Sequence, residues 1–381
     1  MKKYFLFIFL SFLTFSRTFG QYRDNLEPVT SFRPAGPRLI HILDVKVIGD
    51  KAYCCGYGGV SVFDITNISA PIQLGNYNLN NVANGTFYHR LAINGSIIYV
   101  TRRYGGIDII DFSIESSPYC RGTYGYDDET SYETVFLTDS LLFAAVHNRG
   151  VEVIDISDPV NLLHKNFINV ENAFAITGKD NYLYVANGKY GIVVVDVSNV
   201  LDPVIIKKVK TTSCAQFIDV WEDFIFVAAG ASGVDIFDIS EENKPVFLKN
   251  YPGLGFCPHL IVKNGKVYMA EWDVVEVVDV TDPLNPVSLA KEDTKTQSMG
   301  IYAKDDFVFV ADWSAVRVYR YYDEPCPDIY PGRRFLSFGD IIPGKVEQLD
   351  ITISNVGNEN LVITDISSNE QSITVSLRIL C

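Results

Sequence analysis

His89, Glu133 and His259 stand at corresponding places in a phrase that this chain repeats, when its copies are aligned. Histidine titrates near neutrality and a carboxylate exchanges or orients its proton, so these residue types suit general acid–base work. They also ligate metals. The three come from separate copies, so only a fold that gathers the copies around one point would let them act together. Corresponding places elsewhere hold Phe174, Gln216 and Met299, which fit a polar, partly wet lining better than a catalytic one. We therefore assign no catalytic residue and no metal ligand from sequence; in an enzyme, His89, Glu133 and His259 would carry the reaction.

A second set falls in the turns that precede the phrase: Arg102, Arg103, Tyr104, Arg149, Lys189, Tyr190, Trp272 and Trp313. Arginine and aromatic side chains at turn tips suit a glycan or protein partner. Each is equally an ordinary hairpin-tip residue. No Gly-x-Ser-x-Gly, His-Glu-x-x-His, P-loop or EF-hand pattern occurs, and Asp127-Asp128-Glu129 reads as a solvated acidic turn. No cofactor is implied.

The elements that must position these residues come from the repeat. Its copies are Gly59–Asp64, Gly106–Asp111, Gly150–Asp155, Gly191–Asp196 and Gly233–Asp238, with weaker ones at Val274–Asp279 and Ala315–Arg320. Their last residues lie 41–47 positions apart, and a second apolar run precedes each copy. In the fourth copy the runs 173–177, 182–186, 192–197 and 204–209 read as four strands, rich in Val, Ile and Tyr and separated by Gly, Asn, Asp and Pro. Four short strands every ~40–45 residues is blade spacing, so the expected fold is an all-β, seven-bladed β-propeller of four-stranded blades. The recurring Gly is expected at φ > 0 where a Cβ would clash, and the recurring Asp to bond its own turn. A ring of those aspartates holding cations is the weaker reading. The last blade lacks a fourth strand of its own, so the spare segment Val29–Phe32 is expected to pair with it and close the ring.

The phrases Gly191-Ile-Val-Val-Val-Asp196 and Gly150-Val-Glu-Val-Ile-Asp155 resemble the LVIVD repeat of bacterial and archaeal surface proteins, over roughly Ile40 to Pro325. The resemblance implies a propeller and a surface location, and no catalytic residues. Beyond it, Phe338-Gly-Asp and Ile353-Ser-Asn-Val-Gly-Asn358 are similar to the start of choice-of-anchor D or ASH-type immunoglobulin-like domains. About 47 residues make only half of such a sandwich. The expected layout is a signal peptide at 1–20, a propeller over 29–325, a linker over 326–334 and an incomplete, truncated immunoglobulin-like domain over 335–381.

The leader reading rests on Met1-Lys2-Lys3, an apolar run from Tyr4 to Phe15, and small residues before a cleavage point at Gly20/Gln21. That run is too short to cross a bilayer as a helix, which needs about 20 residues. A secreted or cell-surface protein follows, with no transmembrane segment in the mature chain. The net charge of −14 disfavours nucleic acid. Seven cysteines without a C-x-x-C pair disfavour a zinc site and read mostly as small buried hydrophobes, with pairing open. Adjacent Cys54 and Cys55 would point to opposite faces of a strand. Asn67, Asn84 and Asn94 begin glycosylation triplets, relevant only in a eukaryotic source. The sequence thus supports a monomeric, non-enzymatic interaction or scaffold protein that binds a protein or glycan through a propeller face. An exported propeller hydrolase or lyase is the alternative.

Overall fold

The computed structural model describes residues 25–35, 41–79, 87–125, 130–241 and 244–323, and the backbone of residues 5–6, 329–331, 336–337 and 353–355. The leader at 1–20, the linker at 326–334 and the immunoglobulin-like module at 335–381 otherwise lie outside the described residues. The chain divides into two units, Leu26–Tyr321 and the remainder. In the remainder, β1 (Phe5–Leu6) pairs with Leu336–Ser337, and Ile329–Pro331 pairs with Ile353–Asn355. Among the described residues no helix is long and apolar enough to cross a membrane.

Among its described residues the regular structure of the larger unit is all β. It opens with β2 (Leu26–Phe32), followed by the first four-stranded sheet, β3 (Ile42–Ile48), β4 (Lys51–Gly56), β5 (Gly59–Asp64) and β6 (Ile72–Asn78). The second is β7 (Tyr88–Asn94), β8 (Ile97–Arg102), β9 (Ile107–Asp111) and β10 (Tyr119–Tyr124). The third is β11 (Val135–Leu137), β12 (Leu141–Ala145), β13 (Val151–Asp155) and β14 (Leu163–Ile168). The fourth is β15 (Ala175–Lys179), β16 (Tyr182–Ala186), β17 (Ile192–Asp196) and β18 (Val204–Val209). The fifth is β19 (Phe217–Trp221), β20 (Phe224–Ala228), β21 (Val234–Asp238) and β22 (Val246–Tyr251). All are antiparallel meanders, and apolar clusters fill the space between neighbouring sheets.

The expected count of seven blades is corrected to six. The sixth sheet has six strands, in the order β2, β27 (Ala315–Tyr321), β26 (Phe307–Asp312), β25 (Val287–Lys304), β24 (Lys266–Asp279) and β23 (His259–Lys263). It takes in both of the last two phrases. At the other junctions Gly, Pro or an irregular stretch ends one sheet before the next begins. Here the stretch Lys291-Glu-Asp-Thr-Lys-Thr-Gln-Ser298 has neither Gly nor Pro, so β25 stays extended through it. Ser298 then pairs with both Trp272 and Asp312, joining what the sequence divides into two blades.

β2 pairs with β27 from Leu26↔Tyr321 to Phe32↔Val316, as expected of the spare N-terminal segment. Phe32 meets Phe63 with ring centroids 4.6 Å apart, within a cluster that also holds Val45, Phe309 and Val316. The first and last sheets are thereby packed together. Cys54 and Cys55 enter different clusters on opposite faces of β4, and both are buried free thiols.

The repeat's local chemistry is as its residues require. Gly106, Gly150, Gly191 and Gly233 have φ from +78° to +98°, and a Cβ there would come within about 2 Å of a carbonyl oxygen on the neighbouring strand. The terminal aspartates accept bonds from the backbone two residues on: Asp64 from Thr66, Asp155 from Ser157 and Asp196 from Ser198, each at 2.8 Å. Among the described residues, no group of three or more His, Cys, Asp or Glu is arranged to hold a metal ion.

Candidate functional site

The positions that begin the inner strands share one backbone bond. The N–H groups of Glu133, Phe174 and Gln216 donate to Ala145, Ala186 and Ala228 at 2.8–2.9 Å. Their side chains, with others from the second to the sixth sheets, line a cleft of about 240 Å3. Since Ala175 pairs with Ala186 and His259 with Ala270, the sixth-sheet counterpart of Phe174 is Pro258, which lines the cleft. His259 is one residue further on. A one-residue step turns a side chain to the other side, and His259 is wholly buried, 3.8 Å from the Phe217 ring. Burial, with Arg90 and Lys46 near, holds its pKa well below the ordinary value, so it stays neutral.

Glu133 is the centre of the polar side. Its Oε2 faces His89 Nδ1 at 3.0 Å and Arg103 Nη1 at 3.6 Å; its Oε1 faces His147 Nε2 at 3.3 Å and accepts a bond from the Ser131 hydroxyl at 2.8 Å. The His89 contact is close but off the hydrogen-bonding axis. Burial alone would raise the carboxyl, but these partners overcome it and bring Glu133 to about 2. Burial is also the largest influence on His89 and lowers its pKa against the pull of Glu133. A carboxylate at about 2 is a weak base and no acid at neutral pH, and a sealed His259 cannot join it. The acid–base trio is therefore not assembled.

A bulge in β7 between Tyr88 and Leu91 delivers the next member. Thr101 Oγ1 accepts a bond from the N–H of Arg90, and the Arg90 guanidinium reaches to the first and sixth sheets. It donates to the carbonyls of Leu43 at 2.6 Å and Met299 at 2.9 Å. The aromatic side runs round the rim. Phe256 meets Trp272 at 5.0 Å, Trp313 meets His41 at 4.2 Å, and Tyr57 stacks on Phe87 at 4.4 Å. His147 continues to Phe174 at 4.7 Å.

One repeat position beside the cleft has a left-handed backbone. Strand pairing places His147, Gly188, Gly230 and Trp272 at one repeat position, with φ between +46° and +55°. Glycine adopts this freely, whereas a residue with a Cβ pays about 1–2 kcal/mol. Over the two glycines lie the rings of Phe174 and Phe256. In the other two sheets the position is spent on an imidazole aimed at Glu133 and an indole on the cleft wall.

Of the turn-tip set, Arg103, Trp272 and Trp313 line the cleft. Arg102 turns away to Asp108 at 2.7 Å, while Lys189 lies over the Tyr190 ring at 5.1 Å. Tyr104 and Arg149 are exposed away from it. Sequence reasoning missed His147, although a histidine standing where sister copies have glycine is a legible signal. It also passed over the third residue of the phrase, where Asp108, Glu152, Asp235 and Glu276 are buried acids. Glu152 accepts from Tyr124 at 2.5 Å and Tyr132 at 2.9 Å; Asp235 accepts from Thr212 and Asn250, each at 2.8 Å. These buried bonds tie hairpins together below the rim. Glu271, beside Trp272, is buried near Glu276, and burial with this like-charged neighbour pushes its carboxyl up to about 8.

Comparison with known proteins bears on the repeat. The LVIVD repeat model matches residues 41–79, 89–125, 135–169, 172–211 and 214–252, one stretch for each four-stranded sheet. The chain carries five LVIVD repeats in a β-propeller. No curated protein sequence matches this LVIVD propeller. Among solved structures it is similar to the computationally designed Ika8 protein, at 12% identity and a TM-score of 0.54, covering 78% of this chain and 100% of that one. It is also similar to a chain of the mitotic checkpoint complex, at 9% identity and a TM-score of 0.62, covering 82% and 100%. At such identities the likeness is one of fold alone.

Proposed function

We propose that this LVIVD propeller is a secreted or cell-surface interaction protein, non-enzymatic, whose axial cleft and rim bind a protein or glycan partner. The observation that carries the reading is the make-up of the cleft: an aromatic wall of Phe256, Trp272 and Trp313 opposite an ionised Glu133 flanked by two histidines. Aromatic and arginine groups around a desolvated centre are what binding hot spots are made of. A carboxylate held at about 2 favours binding over proton transfer. Export is supported by the basic, apolar, small-residue order of the first 20 residues.

The test compares the wild type with the triple variant Arg103→Ala, Trp272→Ala, Trp313→Ala on surfaces bearing cell-envelope glycans and extracellular proteins. Retention that the triple variant loses while its circular dichroism is unchanged supports the reading. Equal retention of both forms on every surface removes it. Hydrolytic turnover abolished by Glu133→Gln would favour the enzyme instead.

A further inference from the structure

We infer that the cleft takes a single neutral sugar residue, its ring against Trp272 and its hydroxyls on Glu133, Arg90, Thr134 and Trp313. This rests on the binding reading above and names its ligand. Three polar atoms buried without a hydrogen-bond partner belong to residues lining this cleft, Arg90 Nε, Trp313 Nε1 and Thr134 Oγ1, and beside them Glu133 Oε2 has its 3.0 Å contact with His89 Nδ1 off the hydrogen-bonding axis. Unsatisfied buried groups are costly, so a cluster of them marks a place where something polar belongs.

The set mixes strict donors, on Arg90 and Trp313, with a strict acceptor, the Glu133 carboxylate. A hydroxyl both donates and accepts, so a ligand carrying several hydroxyls answers both kinds at once. An apolar side chain from a protein would leave them all unpaired. The charges argue for neutrality: Glu133 repels a phosphate or carboxylate, and Arg90 and Arg103 repel an ammonium group. Trp272 is 39% exposed, with Phe256 supporting its ring at 5.0 Å, and offers an aromatic face to the polarised C–H groups of a pyranose. The volume of about 240 Å3 lies below the ~300 Å3 at which clefts begin to take larger ligands, which fits one ring rather than a chain of them.

The experiment is ligand-observed NMR of the full chain with free neutral hexoses, N-acetylhexosamines, a uronic acid and inorganic phosphate. Wild type, Trp272→Ala and Thr134→Val are compared, with thermal melts to show that each variant is folded. The expected result is saturation transfer from the protein to a neutral sugar, weakened at least tenfold by Trp272→Ala and several-fold by Thr134→Val. Preferential binding of the uronic acid or phosphate overturns the inference. So does binding of a neutral sugar that both variants retain in full. Absence of all sugar binding also overturns it, yet leaves the broader reading standing if the rim triple variant still loses retention on a protein surface.

Discussion

Nε2 of His147 lies 3.3 Å from Oε1 of Glu133, and it does so from a backbone that holds φ at +46°. The strain and the contact belong to the same residue. His147→Gly relieves the first and loses the second, so its stability is expected to stay within about 1 kcal/mol of wild type. His147→Ala keeps the strain and loses the contact, so it is expected to cost up to about 1 kcal/mol against wild type and to be about 1 kcal/mol less stable than the glycine variant. Urea unfolding of the two variants decides it; an alanine variant as stable as the glycine one removes the strain argument.

Acid should unfold the protein in two stages. The lowered pKa of His89 means that its contribution is complete above pH ~6.5 and declines as pH falls through that value toward the folded pKa. Glu133, lowered to about 2, contributes above its unfolded value near 4.5 and loses that contribution as pH drops toward 2. The second stage is worth about 3 kcal/mol. Glu133→Gln should make the fall of the urea midpoint between pH 5 and 2.5 shallower without abolishing it, because Asp111, Asp155 and Glu171 are also held below the usual carboxylate range by their partners.

At the alkaline end the sign reverses. Glu271 has a raised pKa of about 8, so its neutral form supports the fold at low pH, and that support is lost as pH rises from ~4.5 through 8. Glu271→Gln keeps an acceptor for the Leu254 N–H, which now donates to Oε1 at 2.9 Å, and removes the charge. Wild type is expected to lose several degrees of Tm between pH 6 and pH 9, and the variant clearly less. Parallel slopes would show that the Glu271–Glu276 neighbourhood is not responsible.

Glycine positions should differ in cost. At Gly191 a Cβ would meet the Val209 carbonyl oxygen at 2.1 Å with φ at +95°, so Gly191→Ala should cost about 3 kcal/mol or more. At Gly49, with φ at +54°, a Cβ meets nothing within 4 Å, and Gly49→Ala should cost only about 1 kcal/mol. Differential scanning calorimetry of both reads the ordering directly.

The N-terminal strand should be structural rather than decorative. Phe32→Ala empties a buried ring position against Phe63 and is expected to cost about 3–4 kcal/mol. Deleting 26–32 should lower Tm further, by uncovering β27 as an edge. A deletion variant that melts like the full chain would contradict the pairing.

The strands, the positive-φ glycines and the aspartate turns were legible because each is written in local chemistry and repeated. The pairing of β2 was legible as an arithmetic gap, a last copy short of one strand. Blade number was not, because it depends on whether β25 breaks near Thr294–Gln297, and propensity marks only the absence of Gly and Pro there. His259 was misplaced by one residue, which in a strand exchanges a cleft wall for a sealed interior. Arg90 was missed because it owes its place in the cleft wall to a bulge, and a bulge leaves no composition mark.

Leu26 and Tyr321 are cross-strand partners although nearly the whole ring separates them along the chain. The two ends of the propeller therefore leave side by side from one strand pair. An entry and an exit so close together let the disc be spliced as a cassette into a surface loop of another protein without spreading that loop. By the same geometry, joining residues 26 and 321 with a short linker and opening the chain at the Asp180–Asn181 turn should give a permuted disc. In it, the last fastening to close during folding would become an ordinary hairpin.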